Sequence, residues 1–178
     1  MPQSLARLWV HLIFSTKDRY PFLSDKTTRL SMHAYLATVL RSHDCETVIV
    51  GGIDDHVHAL FALSRTHSIA HVVQEIKRTS SAWIKEKSHA QRQFHWQSGY
   101  GAFSVGQSQL DRVTRYIEQQ EERHCGSSFQ DEFRSFLKKY KVEHDEDIFG
   151  IEQRVGEPFP GSRSKSSLYP RALPWAGN

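Results

Sequence analysis

Cysteine and long apolar runs are both scarce in this sequence. Its 178 residues include only two cysteines, Cys45 and Cys125, so a disulfide framework and a four-thiolate zinc site are both excluded. The apolar runs fall short of the roughly 20 residues that a membrane-spanning helix needs. The N-terminus, Met1 to Ser4, lacks the basic and apolar succession of a secretory signal. We therefore expect a soluble, cytoplasmic protein.

An excess of charge of one sign is also missing. The formal net charge is +3, which permits acidic partners without demanding them. Histidine, by contrast, occurs eleven times. Most of these histidines are scattered along the chain. Only His56 and His58 have a spacing with structural meaning, because alternate residues of a β-strand share one face.

The hydrophobic pattern predicts the element order β-α-β-β-α-β, followed by further helices. Bulky and β-branched runs predict strands near residues 8–15, 46–50 and 56–63, and a fourth strand ends the aromatic stretch 94–105. Helical spacing predicts helices over 24–42, from 68, and over about 108–124 and 129–139, with Ser24 and either Ser108 or Asp111 as caps. This order indicates an α+β fold, a ferredoxin-like antiparallel sheet (βαββαβ) with helices packed on it and extra C-terminal helices.

The length of the chain predicts a single domain, which we assign to residues 1–150. Beyond Gly150 the proportion of proline, serine and arginine rises and the periodic spacing of apolar residues is lost. Such a composition does not support a packed core. We therefore expect residues 151–178 to form a flexible tail.

His56 and His58 lie at the start of an apolar predicted strand, so both imidazoles point the same way and can grip one cation. Taken alone, a His-x-His pattern favours ordinary packing or surface histidines, since short motifs match by chance. The apolar surroundings favour a functional pair, because buried imidazoles need polar partners. A metal ion is one such partner.

A second polar cluster lies on the third predicted helix. Tyr116 and Gln120 are four residues apart, so they share a face beside an apolar stripe that can do the packing. Each residue alone fits a duller interpretation, a boundary tyrosine and a solvated glutamine. Facing the histidine pair, they would complete a metal site of two nitrogens and an amide oxygen with a phenol beside it, which is suited to cutting a phosphodiester.

Four ordered motifs give the chain a resemblance to a known family. They are Asp55-His56-Val57-His58, Ile76-Lys77-Arg78-Thr79-Ser80-Ser81-Ala82-Trp83 (led by Ser68-Ile69), Trp96-Gln97-Ser98-Gly99-Tyr100-Gly101-Ala102-Phe103-Ser104-Val105, and Tyr116-Ile117-Glu118-Gln119-Gln120-Glu121-Glu122. In this order they resemble the single-tyrosine HUH transposases of bacterial insertion sequences (IS200-like transposases). The likeness runs from about Leu8 to Tyr140.

The resemblance implies a role for each site residue. His56 and His58 would be the metal-binding pair, Gln120 the third protein ligand and Tyr116 the nucleophile. The expected ion is Mg²⁺, with Mn²⁺ able to substitute. The implied activity is cutting and rejoining of single-stranded DNA at hairpin-bearing element ends, through a 5′-phosphotyrosine intermediate and without a nucleotide cofactor. The family works as a homodimer in the bacterial cytoplasm, at the nucleoid, and the sequence leaves open whether Tyr116 serves its own subunit or a partner.

Basic side chains supply candidate contacts to DNA, since lysine and arginine neutralise phosphates. For each of them, a solubilising surface position is an equally good interpretation. The candidates are Lys17, Arg19, Arg65, Lys77, Arg78 and Lys85.

Three alternatives stay open at this point. The chain could be a nucleic-acid-binding module without catalysis, because ferredoxin-like sheets host many functions. It could be a metallohydrolase in which the histidines activate water and Asp54 or Asp55 serves as the base. It could also be a domesticated, repeat-associated tyrosine nuclease that cuts palindromes but is no longer mobile.

Overall fold

A computed structural model describes residues 5–87, 89–123 and 129–143 of the chain. The predicted tail, 151–178, and the last residues of the predicted domain, 144–150, lie outside this part. The strands are β1 (Trp9–Ser15), β2 (Glu46–Gly52), β3 (His56–Ala62) and β4 (Gly101–Val105). The helices are α1 (Lys26–Ser42), α2 (Ile69–Lys87), α3 (Leu110–Glu118), α4 (Gln120–Arg123) and α5 (Phe129–Lys139).

The four strands form one antiparallel sheet in the order β2-β3-β1-β4. The first six long elements follow the order β-α-β-β-α-β, and α3, α4 and α5 follow them. The predicted ferredoxin-like sheet with extra C-terminal helices is therefore confirmed. None of the helices in the described ranges is long and apolar enough to cross a membrane.

The two faces of the sheet are covered by different helices. On one face, alternate residues of β1 and β3 such as Leu12, Val57 and Phe61 join side chains of α1 and α2 in the largest apolar cluster. On the other face, Ile13 packs against α5 and Leu60 packs against α3. Every residue of β3 is buried. Any polar side chain on this strand must therefore find its partners inside the protein.

Two predicted helix boundaries are wrong. Helix α1 is capped by Asp25, whose carboxylate accepts from the backbone N–H of Thr28 at 2.7 Å, and not by Ser24. The residue preceding α3 is Gln109, and its side chain makes no capping hydrogen bond, so neither Ser108 nor Asp111 is the cap.

The third predicted helix is not continuous. It ends at Glu118, and Gln119 (φ −89°, ψ 12°) leaves the helical conformation before α4 begins at Gln120. Tyr116 and Gln120 therefore belong to two successive helices. The last residue predicted for this helix, His124, lies outside the described residues.

Two glycines let the helices of the second face approach the sheet. Gly51 lies in β2 opposite His58, and a Cβ atom there would stand 2.7 Å from Ile117 Cγ2 and 3.1 Å from the Ile117 carbonyl oxygen. Gly101 plays the same part in β4, where an added Cβ would collide with the ring of Phe133. Helices α3 and α5 can rest on the sheet because these two positions carry no side chain.

We predict that Gly51→Ala destabilises the protein by about 1–3 kcal/mol, because the new methyl group overpacks the contact with Ile117. Urea unfolding measures the change. Gly106→Ala is the matched control, since the nearest atom to its added Cβ is Gln109 Oε1 at 3.9 Å, an ordinary contact. Equal stability of Gly51→Ala and Gly106→Ala would contradict the close approach of α3.

Candidate active site

His56 and His58 share the face of β3 that α3, α4 and α5 cover. Both side chains are fully buried, and their ring centroids lie 5.1 Å apart. The predicted common direction of the two imidazoles follows from their alternation along the strand. Water cannot satisfy these rings, so the surrounding side chains decide their protonation and orientation.

Asp55 and Arg19 orient His56. Asp55 Oδ1 lies 2.8 Å from His56 Nδ1, and its Oδ2 accepts from Arg19 Nε at 2.9 Å and from a second guanidinium nitrogen. Burial alone would raise the pKa of Asp55, but the hydrogen bond from His56 and the Arg19 charge together lower it. The carboxylate is therefore ionised and accepts only. His56 accordingly carries its proton on Nδ1 and turns Nε2 toward the interior of the site.

Gln120 reaches His56 from α4. Its Oε1 lies 3.3 Å from His56 Nε2, and its Nε2 donates to Glu132 Oε1 at 3.1 Å. Burial lowers the pKa of His56, so the imidazole is neutral and its Nε2 bears a lone pair. Two acceptor atoms, His56 Nε2 and Gln120 Oε1, thus face each other. A cation beside them would stabilise this arrangement.

His11 contacts His58 on the same sheet face. The atoms His11 Nε2 and His58 Nδ1 lie 3.0 Å apart, and the two rings stack with centroids 5.2 Å apart. His11 is buried, which lowers its pKa to about 3. His11 was not predicted as a site residue, because nothing in the local sequence reveals that β1 lies beside β3.

Tyr116 lies against the histidine pair within the same chain. Its ring meets His58 edge to face at a centroid distance of 5.8 Å, and Phe136 of α5 covers it at 5.8 Å. The phenol oxygen is shielded from solvent. The structure therefore brings together all four predicted site residues: His56, His58, Tyr116 and Gln120.

Glu132 is a site residue that was not predicted from the sequence. Each of His56, His58 and Glu132 offers one atom that could bind a metal, and these three atoms all lie within 4.8 Å of one another. Burial raises the pKa of Glu132 to about 8, against the opposing effect of Arg19. A signal was present in the sequence, because Glu132 falls within the apolar stripe of α5, beside Phe133 and Phe136. A carboxylate in an apolar stripe needs a partner.

This donor set fits a divalent cation. It offers two imidazole nitrogens, an amide oxygen and a carboxylate oxygen, and the acceptors His56 Nε2 and Gln120 Oε1 already face each other. Carboxylate and carbonyl oxygens suit Mg²⁺ and Mn²⁺, whereas imidazoles favour later transition metals. The mixture suits an intermediate ion such as Mn²⁺ and accepts Mg²⁺.

Two of the six predicted DNA contacts are engaged inside the fold. Arg19 is bound to Asp55, as described above. The amine of Lys77 donates to the carbonyl oxygens of Gln97 and Gly99, both at 2.7 Å, and burial lowers its pKa to about 8. Lys77 thus anchors the loop before β4.

The other four basic residues are spread over the surface of the described part. Lys17 is exposed, and the preceding residue, Thr16, donates from its backbone to Asp55, so Lys17 lies at the end of the sheet that carries the site. Arg65 follows the far end of β3, about 20 Å away for a strand of this length. On α2, Arg78 is exposed and bonded to Glu75, and Lys85 is half-buried.

Comparisons with known proteins point to one group of enzymes. The sequence model of the family described as "Transposase IS200 like" matches residues 4–120. The chain is similar to a solved structure from Deinococcus radiodurans R1 that is provisionally classed as a transposase, with 23% identity, a TM-score of 0.52, and coverage of 67% of this chain and 95% of that one. It is also similar to the REP-associated tyrosine transposase bound to a REP hairpin, with 12% identity, a TM-score of 0.52, and coverage of 89% and 97%. At these identities the two structures bear on the fold alone, and no match was found among curated proteins.

We predict a pH dependence of stability from Glu132. Its folded pKa of about 8 exceeds the unfolded value, so its protonated form stabilises the fold below pH 4.5, and this contribution is lost as the pH rises toward 8. In the presence of a chelator, the wild type should therefore lose stability relative to Glu132→Gln between pH 4.5 and 8, measured by urea unfolding. Glu118→Gln, on the exposed side of α3, controls for removal of a charge. Parallel stability curves for the wild type and Glu132→Gln would contradict the assignment.

Proposed function

This chain belongs to the IS200-like transposase family, and on that basis we propose that it cuts and rejoins single-stranded DNA through a covalent bond to Tyr116. The family match covers residues 4–120, which include both histidines, Tyr116 and Gln120. The observation that carries the proposal is the contact of the Tyr116 ring with His58 inside one chain. A nucleophile beside a candidate metal site is the arrangement that phosphodiester cleavage needs.

Four side chains would hold the divalent ion: His56, His58, Gln120 and Glu132. Mg²⁺ is the expected ion in cells, with Mn²⁺ able to substitute. When bound, it supplies charge neutralisation and polarisation of the scissile phosphate. Glu132 lies beyond the residues that the family model matches, so its part in the proposal depends on geometry alone.

Tyr116 supplies the nucleophile. A free phenol has a pKa of about 10, so it reacts poorly at neutral pH without help. Its oxygen attacks the phosphorus, a bond from tyrosine to the 5′ phosphate forms, and the bond from phosphorus to the 3′ oxygen breaks. The phenol proton is transferred overall to the leaving 3′ oxygen. Attack by a 3′-OH reverses the step and restores the tyrosine, so the reaction consumes neither water nor a nucleotide.

The proposed substrate is DNA with a hairpin beside the cleavage point. The structural neighbour bound to a REP hairpin supports this choice, as does the family. A domesticated enzyme that cuts repeated palindromes would use the same site and the same chemistry, so it remains the second candidate. Either activity would operate on the chromosome, at the nucleoid of a bacterial cytoplasm.

We extend the proposal to a homodimer in which each chain uses its own tyrosine. Strands β2 and β4 are the two edges of the sheet, and an edge strand can pair with a second copy. Tyr116 already contacts His58 of the same chain. The second copy would therefore serve to hold a second DNA end and would not be needed to complete the site.

The two remaining alternatives have less support. In a metallohydrolase, Asp54 or Asp55 would have to activate water. Asp55 is held by His56 and Arg19, and Asp54 accepts from Arg29 at 3.1 Å, so both carboxylates are committed elsewhere. A binding module without catalysis would not require a tyrosine packed against paired histidines.

We predict that Tyr116→Phe abolishes the covalent adduct with DNA, because the attacking oxygen is removed while the ring keeps its packing. The assay mixes protein, single-stranded hairpin DNA and Mg²⁺, and detects a denaturation-resistant adduct on a gel. His56→Ala and His58→Ala should abolish the adduct while DNA binding is largely kept.

Tyr140→Phe is the matched control for the tyrosine change. Tyr140 packs on the same sheet face but donates to the carbonyl of Ser104, away from the histidines. It should form the adduct as the wild type does. An adduct that persists in Tyr116→Phe would exclude Tyr116 as the nucleophile. A wild type that cleaves the DNA without forming an adduct would favour the metallohydrolase, and a wild type that binds the DNA without cleaving it would favour the binding module.

We predict different effects for two of the lysines that the sequence offers as DNA contacts. Lys17→Met should reduce the slope of log affinity against log salt by about 0.7, the value for one phosphate contact on a single strand. Lys77→Met should leave the slope unchanged and lower the free energy of unfolding, because its amine anchors the loop through Gln97 and Gly99. Fluorescence anisotropy of a labelled oligonucleotide across salt concentrations measures the slope. The opposite pattern would make Lys77 the phosphate contact.

A further inference from the structure

The contact between His11 and His58 has no role in the mechanism above. His11 lies in β1 opposite Leu60, and the antiparallel register places it diagonally beside His58 on the same sheet face. The two nitrogens are 3.0 Å apart and both rings are buried. A hydrogen bond between two neutral imidazoles needs one donor and one acceptor. The direction of this bond therefore determines which nitrogen of His58 carries the proton.

Only one direction is compatible with metal binding. If His11 donated from Nε2, His58 Nδ1 would accept, and the proton of His58 would occupy Nε2, the nitrogen that could face an ion. If His58 donates from Nδ1, its Nε2 presents a lone pair. In that case His11 accepts at Nε2 and keeps its own proton on Nδ1. The distance of 3.0 Å between His11 Nε2 and His58 Nδ1 accommodates this bond.

We propose that His11 is a positioning residue that holds His58 in the tautomer protonated on Nδ1, so that Nε2 of His58 faces the divalent ion. The inference rests on the metal-binding part of the proposed function. With His11 in this role, His56 and His58 have the same tautomer, because Asp55 holds the proton of His56 on Nδ1. A metal-binding histidine commonly donates its other N–H to such a partner.

A neutral partner suits His58 better than a carboxylate would. The site already holds Asp55 and Glu132, and Arg19 is the cation that acts on both. A third carboxylate in place of His11 would add a buried negative charge next to Tyr116, whose ring lies 6.1 Å from that of His11. An imidazole accepts the hydrogen bond without adding charge.

The tautomer can be measured in the metal-free protein, without DNA. Two-bond ¹H–¹⁵N NMR spectra distinguish a protonated Nδ1 from a protonated Nε2, and the His58 signals are assigned by their loss in His58→Gln. We expect His58 to be protonated on Nδ1 in the wild type. In His11→Gln the amide oxygen still accepts and the tautomer is kept. In His11→Phe the acceptor is lost, and the proton is no longer confined to Nδ1.

The second measurement is the affinity for Mn²⁺, by titration calorimetry in the absence of DNA. We expect His11→Phe to weaken binding 10- to 100-fold, the usual effect of losing such a partner, and His11→Gln to stay within about threefold of the wild type. His43→Phe is the control, since His43 follows α1 at the opposite end of the sheet from the site. It should bind Mn²⁺ as the wild type does.

The outcomes separate this inference from the proposed function. A wild type that binds no Mn²⁺ would contradict the metal site itself. A wild type that binds Mn²⁺ while its His58 is protonated on Nε2 in the metal-free state would overturn only the role of His11. Equal Mn²⁺ affinity of His11→Phe and wild type would do the same. If His11→Phe fails to fold, the wild-type tautomer and the His11→Gln variant still decide the question.

Discussion

The complete burial of β3 is the constraint on which the site depends. A strand with no exposed residue cannot leave His56 and His58 to water, and an unsatisfied buried polar group costs about 1–3 kcal/mol. Partners therefore have to come from elsewhere in the chain. Asp55 comes from the preceding turn, His11 from β1, Gln120 from α4 and Glu132 from α5. These four side chains surround the two buried imidazoles with polar atoms. As a result, several nitrogen and oxygen atoms of the site face one another.

Charge explains why this convergence suits a cation. Asp55 is ionised because Arg19 and His56 support it. The Arg19 charge lowers the pKa of Glu132 as well, but burial outweighs it and keeps that pKa high. Burial favours the neutral forms of His11 and His56, so the centre of the site is rich in lone pairs and poor in positive charge. In such surroundings a divalent ion would stabilise the ionised form of Glu132 and would bind between the facing acceptors His56 Nε2 and Gln120 Oε1.

The sequence predicts those features whose causes are local. Strand alternation is enough to place His56 and His58 on one face, and the spacing of apolar residues is enough for the order β-α-β-β-α-β. Features that depend on distant contacts were missed. His11 meets His58 across 47 residues, and Glu132 reaches the site only because Gly101 lets α5 settle on β4. The break at Gln119 is likewise tertiary, since Tyr116 and Gln120 must each reach a different histidine. From the sequence alone, Arg19 and Lys77 cannot be distinguished from basic residues on the surface. Their acceptors inside the fold become apparent only in the structure.

One face of the sheet holds the largest apolar cluster, and the opposite face carries the candidate site. The face that packs on α1 and α2 holds the large apolar cluster, and it contains no member of the site. The opposite face has two smaller clusters, built around Phe136 and Ile117, with the histidines and Tyr116 between them. Because most of the apolar burial lies on the first face, the second can accommodate buried imidazoles and carboxylates without loss of the fold. The absence of side chains at Gly51 and Gly101 follows from the same division. Where packing is sparse and polar groups must meet within hydrogen-bond distance, the helices have to approach the sheet more closely than a β-carbon would allow.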